Sequence, residues 1–294
     1  MISILIPTHN HICIDLVQAI HLQAGNSHYP FEIIVADDAS TDLQAKKANR
    51  LIGEMQGCSY IELNQNIGPA RIRNFLVSQA KYSYILLMDA DTFPAHSRFL
   101  IDYIQSARPD SIICGGFVYE RTSTPKMCQL RYKYGIRVEE TSAQERNRNP
   151  YDKFISMCFL ADKAVFEQVK FDENMHFGYE DAQFGIQLER ANIPIYHIDN
   201  PVYHRTTDEA TAYLQKIEKS IRNLLPQMET LQTHIRLLSF YRKLHKTGLT
   251  IPVSLLFHLI RPLLVRNLTG RHPSLHFFAF YKLGYLCEVI RENN

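Results

Sequence analysis

The stretch Ile85-Leu86-Leu87-Met88-Asp89-Ala90-Asp91 is an apolar run that ends in two carboxylates. A continuous apolar run of this length is typical of a strand buried on both faces of a parallel sheet. Residues two apart on an extended chain point to the same side, so Asp89 and Asp91 face the same way. Two like charges held so close repel unless a cation lies between them, and a hard divalent ion also binds diphosphates. The stretch therefore predicts an α/β fold with a metal and diphosphate site at a strand end.

The first 120 residues alternate short apolar runs with helical patterns. This alternation is typical of βα units that build a mostly parallel sheet. The predicted strands are Ile2–Ile6, Glu32–Ala36, Ser59–Leu63, Tyr84–Met88 and Ser111–Tyr119. Two stripes at helical spacing predict helices that face the core. They are Ile72, Phe75, Leu76 and Ala80, and Phe99, Leu100, Tyr103 and Ile104.

The periodicity fails between Arg121 and Pro150, where seven Lys or Arg accompany three Glu. Such a long basic connection is either a lid or binding loop, or a solvent-exposed loop without a functional role. Beyond it, Phe154–Leu160 predicts a strand, Ala161–Val169 a helix, and Phe177–Asp181 the start of another helix. A polar helix then leads into two or three C-terminal helices, and its apolar positions are Tyr213, Leu214, Ile217, Ile221 and Leu224.

The charge is distributed unevenly along the chain. The formal net charge is +2, but residues 232–294 hold nine Lys or Arg and two Glu, which leaves −5 over the first 231 residues. We therefore predict an α/β domain over residues 1–207 and a helical, basic region over residues 208–294. The apolar segments Ile251–Ile260 and Leu275–Leu286 look too short and too interrupted to span a bilayer. Two alternatives stay open for this region, a platform on an anionic membrane and a subdomain or dimer interface.

Composition excludes several classes of protein. Hydrophobic residues make up 46% and charged residues 21%, which is typical of a folded protein and not of a disordered one. The six cysteines form no CxxC pair, so neither a zinc ribbon nor a redox motif is predicted, and reduced thiols are expected. The N-terminus begins with a strand and carries no leader pattern, which predicts a cytoplasmic location.

A second acidic feature follows the strand that begins at Glu32. Acidic residues lie in the turn after this strand, in the stretch Ala36-Asp37-Asp38-Ala39-Ser40-Thr41-Asp42. Ligands of open α/β sheets bind beyond the carboxyl ends of the strands, where a carboxylate can accept from uracil or ribose. Alternatively, these residues serve only as turn and cap residues, as expected for Asp42 and left open for Asp38.

A third feature is Asn64–Asn74, in which Pro69 suits the first position of a helix. The N-terminus of that helix and its arginines can face a diphosphate. Arg71 and Arg73 lie about 200° apart around a helix, so both cannot point at one ligand. The alternative is a surface helix with one structural arginine.

Together these motifs resemble the inverting family 2 glycosyltransferases with the GT-A fold, a Rossmann-like nucleotide-sugar-binding fold, over roughly residues 1–205. The motifs that carry the resemblance are Ile6-Pro7-Thr8-His9-Asn10, Val35–Asp42, Asn66-Ile67-Gly68 with Arg73-Asn74, Asp89-Ala90-Asp91 and Gly178-Tyr179-Glu180-Asp181. Tyr179 stands where Gly or Trp is common in the family, which affects the acceptor class more than the reaction.

The resemblance implies a role for each matching residue. The residues that would bind the donor nucleotide are Pro7, Thr8, Asp37, Asp38, Asn66, Gly68, Arg73, Asp89 and Ala90. Asp89 and Asp91 would hold the sugar diphosphate through Mn²⁺ or Mg²⁺, with His204 as a third ligand whose imidazole favours Mn²⁺. Asp181 would be the catalytic base, which suits the carboxylate that an inverting displacement needs. Tyr179 and Glu180 would bind the acceptor or the sugar. Three other histidines, His9, His176 and His197, are expected only to pack or to form hydrogen bonds.

The implied activity is transfer of a hexose or N-acetylhexosamine from a UDP-sugar to an acceptor hydroxyl with inversion. The implied acceptor is a carbohydrate or a lipid-linked sugar of a bacterial surface polysaccharide or glycolipid. The work would take place in the cytoplasm or on the inner face of the cell membrane. A nucleic-acid partner is not expected, and a membrane contact and a homo-oligomer both stay open.

Three other classes of protein are alternatives to this resemblance. A nucleotidyltransferase should carry a Gly-rich basic loop after the first strand, where this chain has Pro7-Thr8-His9-Asn10. A dehydrogenase should carry GxGxxG at that place. A catalytically silent sugar-binding or scaffold protein on the same fold would not need Asp181.

Overall fold

The computed structural model describes residues 1–121, 128–175, 177–205, 208–232 and 234–293, so His176 lies outside the described residues. Contacts within the chain divide it into two units. The first unit comprises Met1–Glu120, Thr141–His176 and Gln183–Arg205. The second comprises Arg121–Glu140, Phe177–Ala182 and Thr206–Asn294, so two segments before residue 207 join the helical region.

The strands belong to the first unit. They are β1 (Ile2–Thr8), β2 (Phe31–Asp37), β3 (Cys58–Glu62), β4 (Tyr84–Met88), β5 (Thr92–Pro94), β6 (Ile112–Cys114), β7 (Phe117–Val118), β8 (Cys158–Asp162), β9 (Ile195–His197) and β10 (Val202–His204). A seven-stranded sheet has the order β3-β2-β1-β4-β8-β6-β9, and only β8 runs antiparallel to its neighbours. The predicted α/β class with a mostly parallel central sheet is confirmed.

The helices are distributed over both units. They are α1 (Ile14–Asn26), α2 (Leu43–Arg50), α3 (Pro69–Gln79), α4 (Phe99–Ser106), α5 (Gln129–Tyr134), α6 (Ala143–Arg146), α7 (Val165–Gln168), α8 (Glu180–Arg190), α9 (Ala210–Leu224), α10 (Met228–Leu231), α11 (Arg236–Lys246), α12 (Thr250–Leu268) and α13 (Leu275–Asn293). Pro69 begins α3 and Asp42 caps α2 by accepting from two backbone amides, as predicted.

The core of the first unit lies between the sheet and the helices α3, α7 and α8. Strand residues such as Leu5 and Leu87 meet the predicted stripe of α3, including Leu76, and are essentially buried. An aromatic cluster continues this core, with the rings of Phe171 and Phe184 stacked 4.1 Å apart. The apolar periodicity therefore identified the faces that the sheet and helices bury.

Three predicted elements differ from the structure. The strand predicted over Ser111–Tyr119 is interrupted at Gly115 and Gly116. Only a glycine fits at position 115, since a Cβ there would lie 2.0 Å from the carbonyl oxygen of Asn200. Its halves, β6 and β7, consequently join different sheets. The strand predicted over Phe154–Leu160 begins only at Cys158 and continues to Asp162, since its register pairs Tyr84 with Asp162. The helix predicted over Ala161–Val169 is reduced to Val165–Gln168 for the same reason.

The segment from Arg121 to Pro150 contains regular structure that the sequence analysis missed. Residues 122–127 lie outside the described part, and beyond them come α5, a π-helical turn at Gly135–Glu139, and α6. Helix α5 packs against α9 and α13, which is why Arg121–Glu140 belongs to the second unit. Arg146 at the end of α6 is buried and donates to the carbonyls of Gly115 and Ile198.

The second unit is built on the close packing of α12 against α13. Gly284 of α13 makes this possible, since a Cβ there would lie 2.6 Å from the ring of Phe257 in α12. Polar contacts add to the apolar packing, because Arg261 donates to Glu218 of α9 at 2.7 Å and lies 3.5 Å from Glu288 of α13. The prediction of further helices after α9 is confirmed.

The apolar segment that was expected to end at Ile260 is longer in the structure. Helix α12 passes through Pro262 and ends at Leu268, which gives 19 residues. Within the described ranges it is the one helix long and apolar enough to cross a membrane by length and composition, and 22% of its apolar window is buried. The expectation that this segment is too short to span is therefore wrong, although length alone is weak support for a span.

All six cysteines lie within the described ranges and are free thiols, as predicted. Burial raises the pKa of the Cys114 thiol to about 12, which keeps it protonated and unreactive at neutral pH.

Candidate active site

The carboxyl ends of three parallel strands meet at one edge of the large sheet. Strand β1 pairs with β2 so that Thr8 lies opposite Asp37, and it pairs with β4 so that Leu5 lies opposite Leu87. The ends of these strands and the loops that follow them carry six of the nine predicted donor-binding residues: Pro7, Thr8, Asp37, Asp38, Asp89 and Ala90. The half-buried Pro7 and the buried Thr8 end β1 at this edge, and the Thr8 hydroxyl donates to the carbonyl of His11 at 3.1 Å.

A small three-stranded sheet brings His204 to Asp91. Strand β10 runs antiparallel to β5 with His204 opposite Thr92, the residue after Asp91. As a result, Nε2 of His204 lies 3.2 Å from Oδ2 of Asp91. The His204 side chain is 9% exposed and that of Asp91 is 40% exposed, so the carboxylate is open to a ligand on one side.

The other ring nitrogen of His204 lies beside Tyr119. The parallel register of β10 with β7, extended by one residue, places Tyr119 next to His204, and its hydroxyl lies 3.1 Å from Nδ1. A partner at Nδ1 fixes the ring orientation and selects the tautomer. No sequence motif predicts Tyr119 as a site residue, because its position follows from strand pairing.

The pKa of Asp91 lies below its usual value. Burial alone would raise this pKa, but the hydrogen bond from His204 and the charges of His204 and His11 outweigh it. Asp91 is therefore an anion across the physiological range and suits a cation or a phosphate-bound metal.

Asp89 is held by an arginine from α3. Nη2 of Arg73 lies 2.6 Å from Oδ1 of Asp89, and Nη1 of Arg73 donates to the carbonyl of Pro69 at 3.1 Å. The Arg73 side chain is 7% exposed and that of Asp89 is 28% exposed. Arg71 points elsewhere and lies 3.7 Å from Glu173, in keeping with the 200° separation.

The two acidic residues after β2 organise the loops around the site. Asp37 is fully buried, and its carboxylate accepts from the amide of Ser40 and the hydroxyl of Tyr60. Asp38 is 5% exposed, and its two oxygens accept from the amides of Ile67 and Gly68 at 2.7 and 2.9 Å. Both carboxylates therefore already accept from protein donors and hold together the loops that follow β2 and β3.

Two asparagines cross-link the same loops. Nδ2 of Asn66 donates to the carbonyl of Asp38 at 3.1 Å. Oδ1 of Asn10 accepts from the amides of Thr41 and Asp42 at 2.7 and 2.9 Å, with Asn10 itself at φ 51°. No role is predicted for Asn10 from the motifs. The available signal is a polar residue that tolerates positive φ shortly after a strand end.

The residues present fit a divalent metal, although they do not form a complete ligand set. In the part of the chain that the structure describes, no group of three or more His, Cys, Asp or Glu is arranged to hold a metal. The structure brings together Asp91 and His204 of the three predicted ligands, while the carboxylate of Asp89 contacts Arg73. One carboxylate oxygen and one imidazole nitrogen form a partial site that a diphosphate can complete.

The predicted base and acceptor residues belong to the second unit. Helix α8 begins there, with Glu180 and Asp181 in its first turn, as predicted. Gly178 and Tyr179 lead into it with positive φ angles of 78° and 65°. Burial raises the pKa of Tyr179 to about 12, so its hydroxyl stays neutral. A positive φ angle is unfavourable for a bulky residue, so the turn before α8 holds Tyr179 in a strained backbone conformation.

The sequence profile described as "Glycosyl transferase family 2" matches residues 3–170, which is more than half of the chain. The chain belongs to this family. The matched region contains the three strand ends, Arg73, Asp89 and Asp91, whereas His204 and Asp181 lie beyond it. The family resemblance deduced from the motifs is thus confirmed.

Several bacterial proteins are similar to this family 2 glycosyltransferase. An uncharacterized glycosyltransferase of Rickettsia bellii is 24% identical over 198 residues, which cover 65% of this chain and 27% of the relative. Glycosyltransferase GlyG of Streptococcus pneumoniae is 24% identical over 214 residues, 70% of this chain and 71% of GlyG. The teichoic acid poly(glycerol phosphate) polymerase of Staphylococcus epidermidis is 25% identical over 180 residues, 60% of this chain and 24% of the polymerase. The chain thus spans about a quarter of the length of two of these relatives.

Solved structures show the same fold. The mannosyltransferase PcManGT of Pyrobaculum calidifontis, solved with GDP-Man and Mn²⁺, superposes with a TM-score of 0.55 at 16% identity, over 99% of this chain and 86% of that one. S. aureus TarS 1-349 in complex with UDP superposes with a TM-score of 0.50 at 16% identity, over 100% and 92%. At such identities the likeness concerns the fold, and it confirms the predicted GT-A architecture.

Proposed function

We propose that this family 2 glycosyltransferase transfers a hexose or N-acetylhexosamine from a UDP-sugar to an acceptor hydroxyl, with inversion at the anomeric carbon. The observation that carries the proposal is the contact of 3.2 Å between Asp91 and His204 at the carboxyl edge of the sheet. An anionic carboxylate beside an imidazole is a pair of ligands that suits Mn²⁺. The buried Arg73 contacts the nearby Asp89. This arrangement suits the binding of a nucleoside diphosphate.

Asp91 and His204 would hold the metal ion, Mn²⁺ in preference to Mg²⁺. The bound ion would neutralise the charge that develops on the departing diphosphate. Tyr119 would accept a hydrogen bond from Nδ1–H of His204, and the lone pair of Nε2, which lies beside Asp91, would then serve as the metal ligand. Arg73 would keep the Asp89 carboxylate oriented toward the donor.

The nucleoside would lie along the loops that Asp38, Asn66 and Asn10 connect. In this proposal, Pro7, Thr8, Gly68 and Ala90 contact the donor, while the buried Asp37 supports the pocket. The donor class rests on the resemblance and on the UDP complex of a protein with the same fold. The acceptor would be a carbohydrate or lipid-linked sugar of a cell-surface polymer, a class supported by the similarity to a teichoic acid polymerase.

Asp181 would act as the general base. It would take the proton of the acceptor hydroxyl as that oxygen bonds to the anomeric carbon and the bond from this carbon to the diphosphate breaks. Tyr179 and Glu180 would contact the sugar or the acceptor. Removal of the carboxylate should therefore stop transfer without weakening donor binding.

The test is a screen of UDP-sugars and GDP-mannose with Mn²⁺, Mg²⁺ or EDTA, in which release of nucleotide and product formation are measured. We expect Asp91→Asn and His204→Asn to lose donor turnover by about 100-fold or more, since each removes a metal ligand. Asp181→Asn should bind UDP like the wild type in calorimetry but fail at transfer. The exposed residues Asp15 and His272 supply matched controls, Asp15→Asn and His272→Asn.

Tyr119→Phe tests the orientation of His204 separately. We expect the Mn²⁺ concentration for half-maximal activity to rise by about 10-fold, with most of the activity recovered at saturating Mn²⁺. Turnover of GDP-mannose alone would contradict the donor class, and unchanged transfer by Asp181→Asn would remove the base. Nucleotide binding without turnover of any donor would favour a silent sugar-binding protein.

A further inference from the structure

One face of helix α12 exposes a continuous apolar surface. Its members are Ile251, Pro252, Leu255, Leu256, Leu259, Pro262 and Leu263, and Leu259 is 77% exposed. At 100° per residue these seven positions occupy one sector about 140° wide, and they extend about 18 Å along the axis. We call this surface the leucine face. Exposed apolar residues arranged so regularly indicate a contact surface.

The opposite face of α12 is firmly attached to the second unit. Phe257, Leu264 and Leu268 are buried there, and Phe257 packs against Gly284 of α13. Glu288 is 4% exposed and contacts His258 at 3.0 Å and Arg261 at 3.5 Å, both on α12. If α12 left the second unit to cross a bilayer, the buried Glu288 would lose its contacts with His258 and Arg261, which is energetically costly. The helix is therefore positioned to lie in the plane of a surface.

The charge around the leucine face has a single sign. Between Glu229 and Glu288 the chain has eight Lys or Arg and no Asp or Glu. Six of these basic side chains are exposed: Arg236, Arg242, Lys243, Lys246, Arg266 and Arg271. Lys243 and Lys246 end α11 just before α12 begins, and Arg266 follows the leucine face on the same side of the helix.

This combination decides between two occupants of the face. A second copy of the chain would bring the same basic residues together across a two-fold interface, where they repel. An anionic bilayer offers hydrocarbon to the leucines and phosphates to the Lys and Arg residues. We propose that the leucine face of α12 inserts in the plane of an anionic membrane surface, with these six basic residues in contact with lipid phosphates. This inference goes beyond the proposed sugar transfer and uses none of its residues.

The test is co-sedimentation of the full chain with vesicles of phosphatidylcholine, alone or mixed with phosphatidylglycerol. We expect binding to the mixed vesicles, little binding to phosphatidylcholine, and loss of binding in about 1 M salt, where the screening length falls to about 3 Å. Lys243→Glu/Lys246→Glu should weaken binding by more than about tenfold, since each surface charge contributes about fivefold. The control Lys47→Glu/Lys81→Glu changes the same charge at exposed lysines of the first unit.

The apolar contribution is tested with Leu255→Ser/Leu259→Ser. This variant should lose vesicle binding, whereas Leu22→Ser/Leu43→Ser, at leucines that are 67% and 79% exposed in the first unit, should keep it. Because all four leucines are exposed, the variants should unfold at the same urea concentration as the wild type. Equal vesicle binding by the two variants would overturn the proposal.

The chain contains no Trp, so a single introduced Trp reports on its surroundings without interference. We expect the fluorescence of Leu259→Trp to shift to the blue on anionic vesicles and to be quenched by brominated lipid tails, because an in-plane helix reaches about 5–10 Å into the interface. Leu43→Trp should not respond.

The alternative occupant, a second copy of the chain, is tested by sedimentation velocity. The proposal would be overturned if the wild type formed a dimer that Leu255→Ser/Leu259→Ser dissociates and if the wild type did not bind vesicles. Vesicle binding requires no donor, so its failure leaves the proposed transfer activity untouched.

Discussion

Arg73 shows how a single buried residue shapes this site. Its side chain is 7% exposed and contacts Asp89 at 2.6 Å, and its guanidinium lies 5.7 Å from the ring centre of Phe171. Removing a guanidinium from water costs free energy, which offsets most of the attraction between Arg73 and Asp89. The main effect of the pair is therefore to orient Asp89 and not to stabilise the fold. The sequence placed two arginines on α3, and only the burial of one of them identifies the residue that meets the carboxylate.

We expect Arg73→Gln to destabilise the fold by about 2 kcal/mol, less than for a fully buried pair because the Asp89 side chain is 28% exposed. The double variant Arg73→Gln/Asp89→Asn should cost less than the sum of its single changes. Urea denaturation of all four proteins measures this coupling. Arg71→Gln, on the same helix but exposed, should change stability by no more than about 0.5 kcal/mol. Additive effects of the Arg73 and Asp89 substitutions would show that the contact does not matter energetically.

His197 gives a prediction about pH. It is 4% exposed, its Nδ1 accepts from Arg146 at 3.2 Å, and its Nε2 donates to the carbonyl of Pro150 at 3.0 Å. Burial, and then the charge of Arg146, hold the pKa of His197 below its usual value of about 6.5. The unfolded chain therefore binds a proton that the folded chain excludes, so stability falls as the pH drops below 6.5 toward the folded pKa.

The measurement is urea denaturation of the wild type and His197→Gln at neutral pH and at a pH below 6. We expect the wild type to lose more stability than His197→Gln over this interval. The exposed His272 provides the control, since His272→Gln should follow the wild type. A variant His197→Gln with the same pH dependence as the wild type would show that His197 is protonated in the fold.

At the scale of elements, strand pairing brings Asp91 and His204 together. Strands β5, β7 and β10 have only two or three residues each, yet their register places His204 beside both Asp91 and Tyr119. Gly115 and Gly116 allow the chain to leave the large sheet and form the small one, and Gly116 has φ 81°. Short strands of this kind leave little hydrophobic pattern in a sequence.

Two helical glycines should respond in opposite directions to the same substitution. We expect Gly284→Ala to destabilise the fold by about 1–3 kcal/mol, because its Cβ would lie 2.6 Å from the buried ring of Phe257. Gly25→Ala in α1 meets nothing within 4 Å and should stabilise by up to about 0.5 kcal/mol through helix propensity. Thermal and urea unfolding compare the two variants. A neutral Gly284→Ala would mean that α12 and α13 separate easily.

At the scale of the whole molecule, ligand binding should be visible as stability. We expect UDP with Mn²⁺ at about 100 times the dissociation constant to stabilise the chain by about 2.7 kcal/mol, which corresponds to roughly 4 °C in Tm for a chain of this length. UDP with EDTA should produce a smaller shift, because Asp91 and His204 then make no metal contact. His204→Asn should lose the Mn²⁺-dependent part, and the exposed control His272→Asn should keep it. The same shift with Mn²⁺ and with EDTA would contradict a metal held by Asp91 and His204.

The sequence by itself determined the α/β class, the central strands and the family. Buried strands such as Tyr84–Met88 carry continuous apolar runs, and helices such as α4 carry apolar stripes, because burial repeats with the period of each element. Helix caps and first helical turns could also be predicted from neighbouring residues alone, as Asp42, Pro69 and Glu180 show. The sequence also predicted that an acidic pair would follow β4.

Only the tertiary structure decided which side chains meet. The pairing of His204 with Asp91 across 113 positions, the choice of Arg73 over Arg71, and the place of Tyr119 depend on strand register and burial. The length of α12 and the exposure of its leucines likewise depend on which face α13 covers. Contacts between distant positions arise when elements pack together, and packing responds to the shapes of all neighbours at once, so no local pattern encodes them.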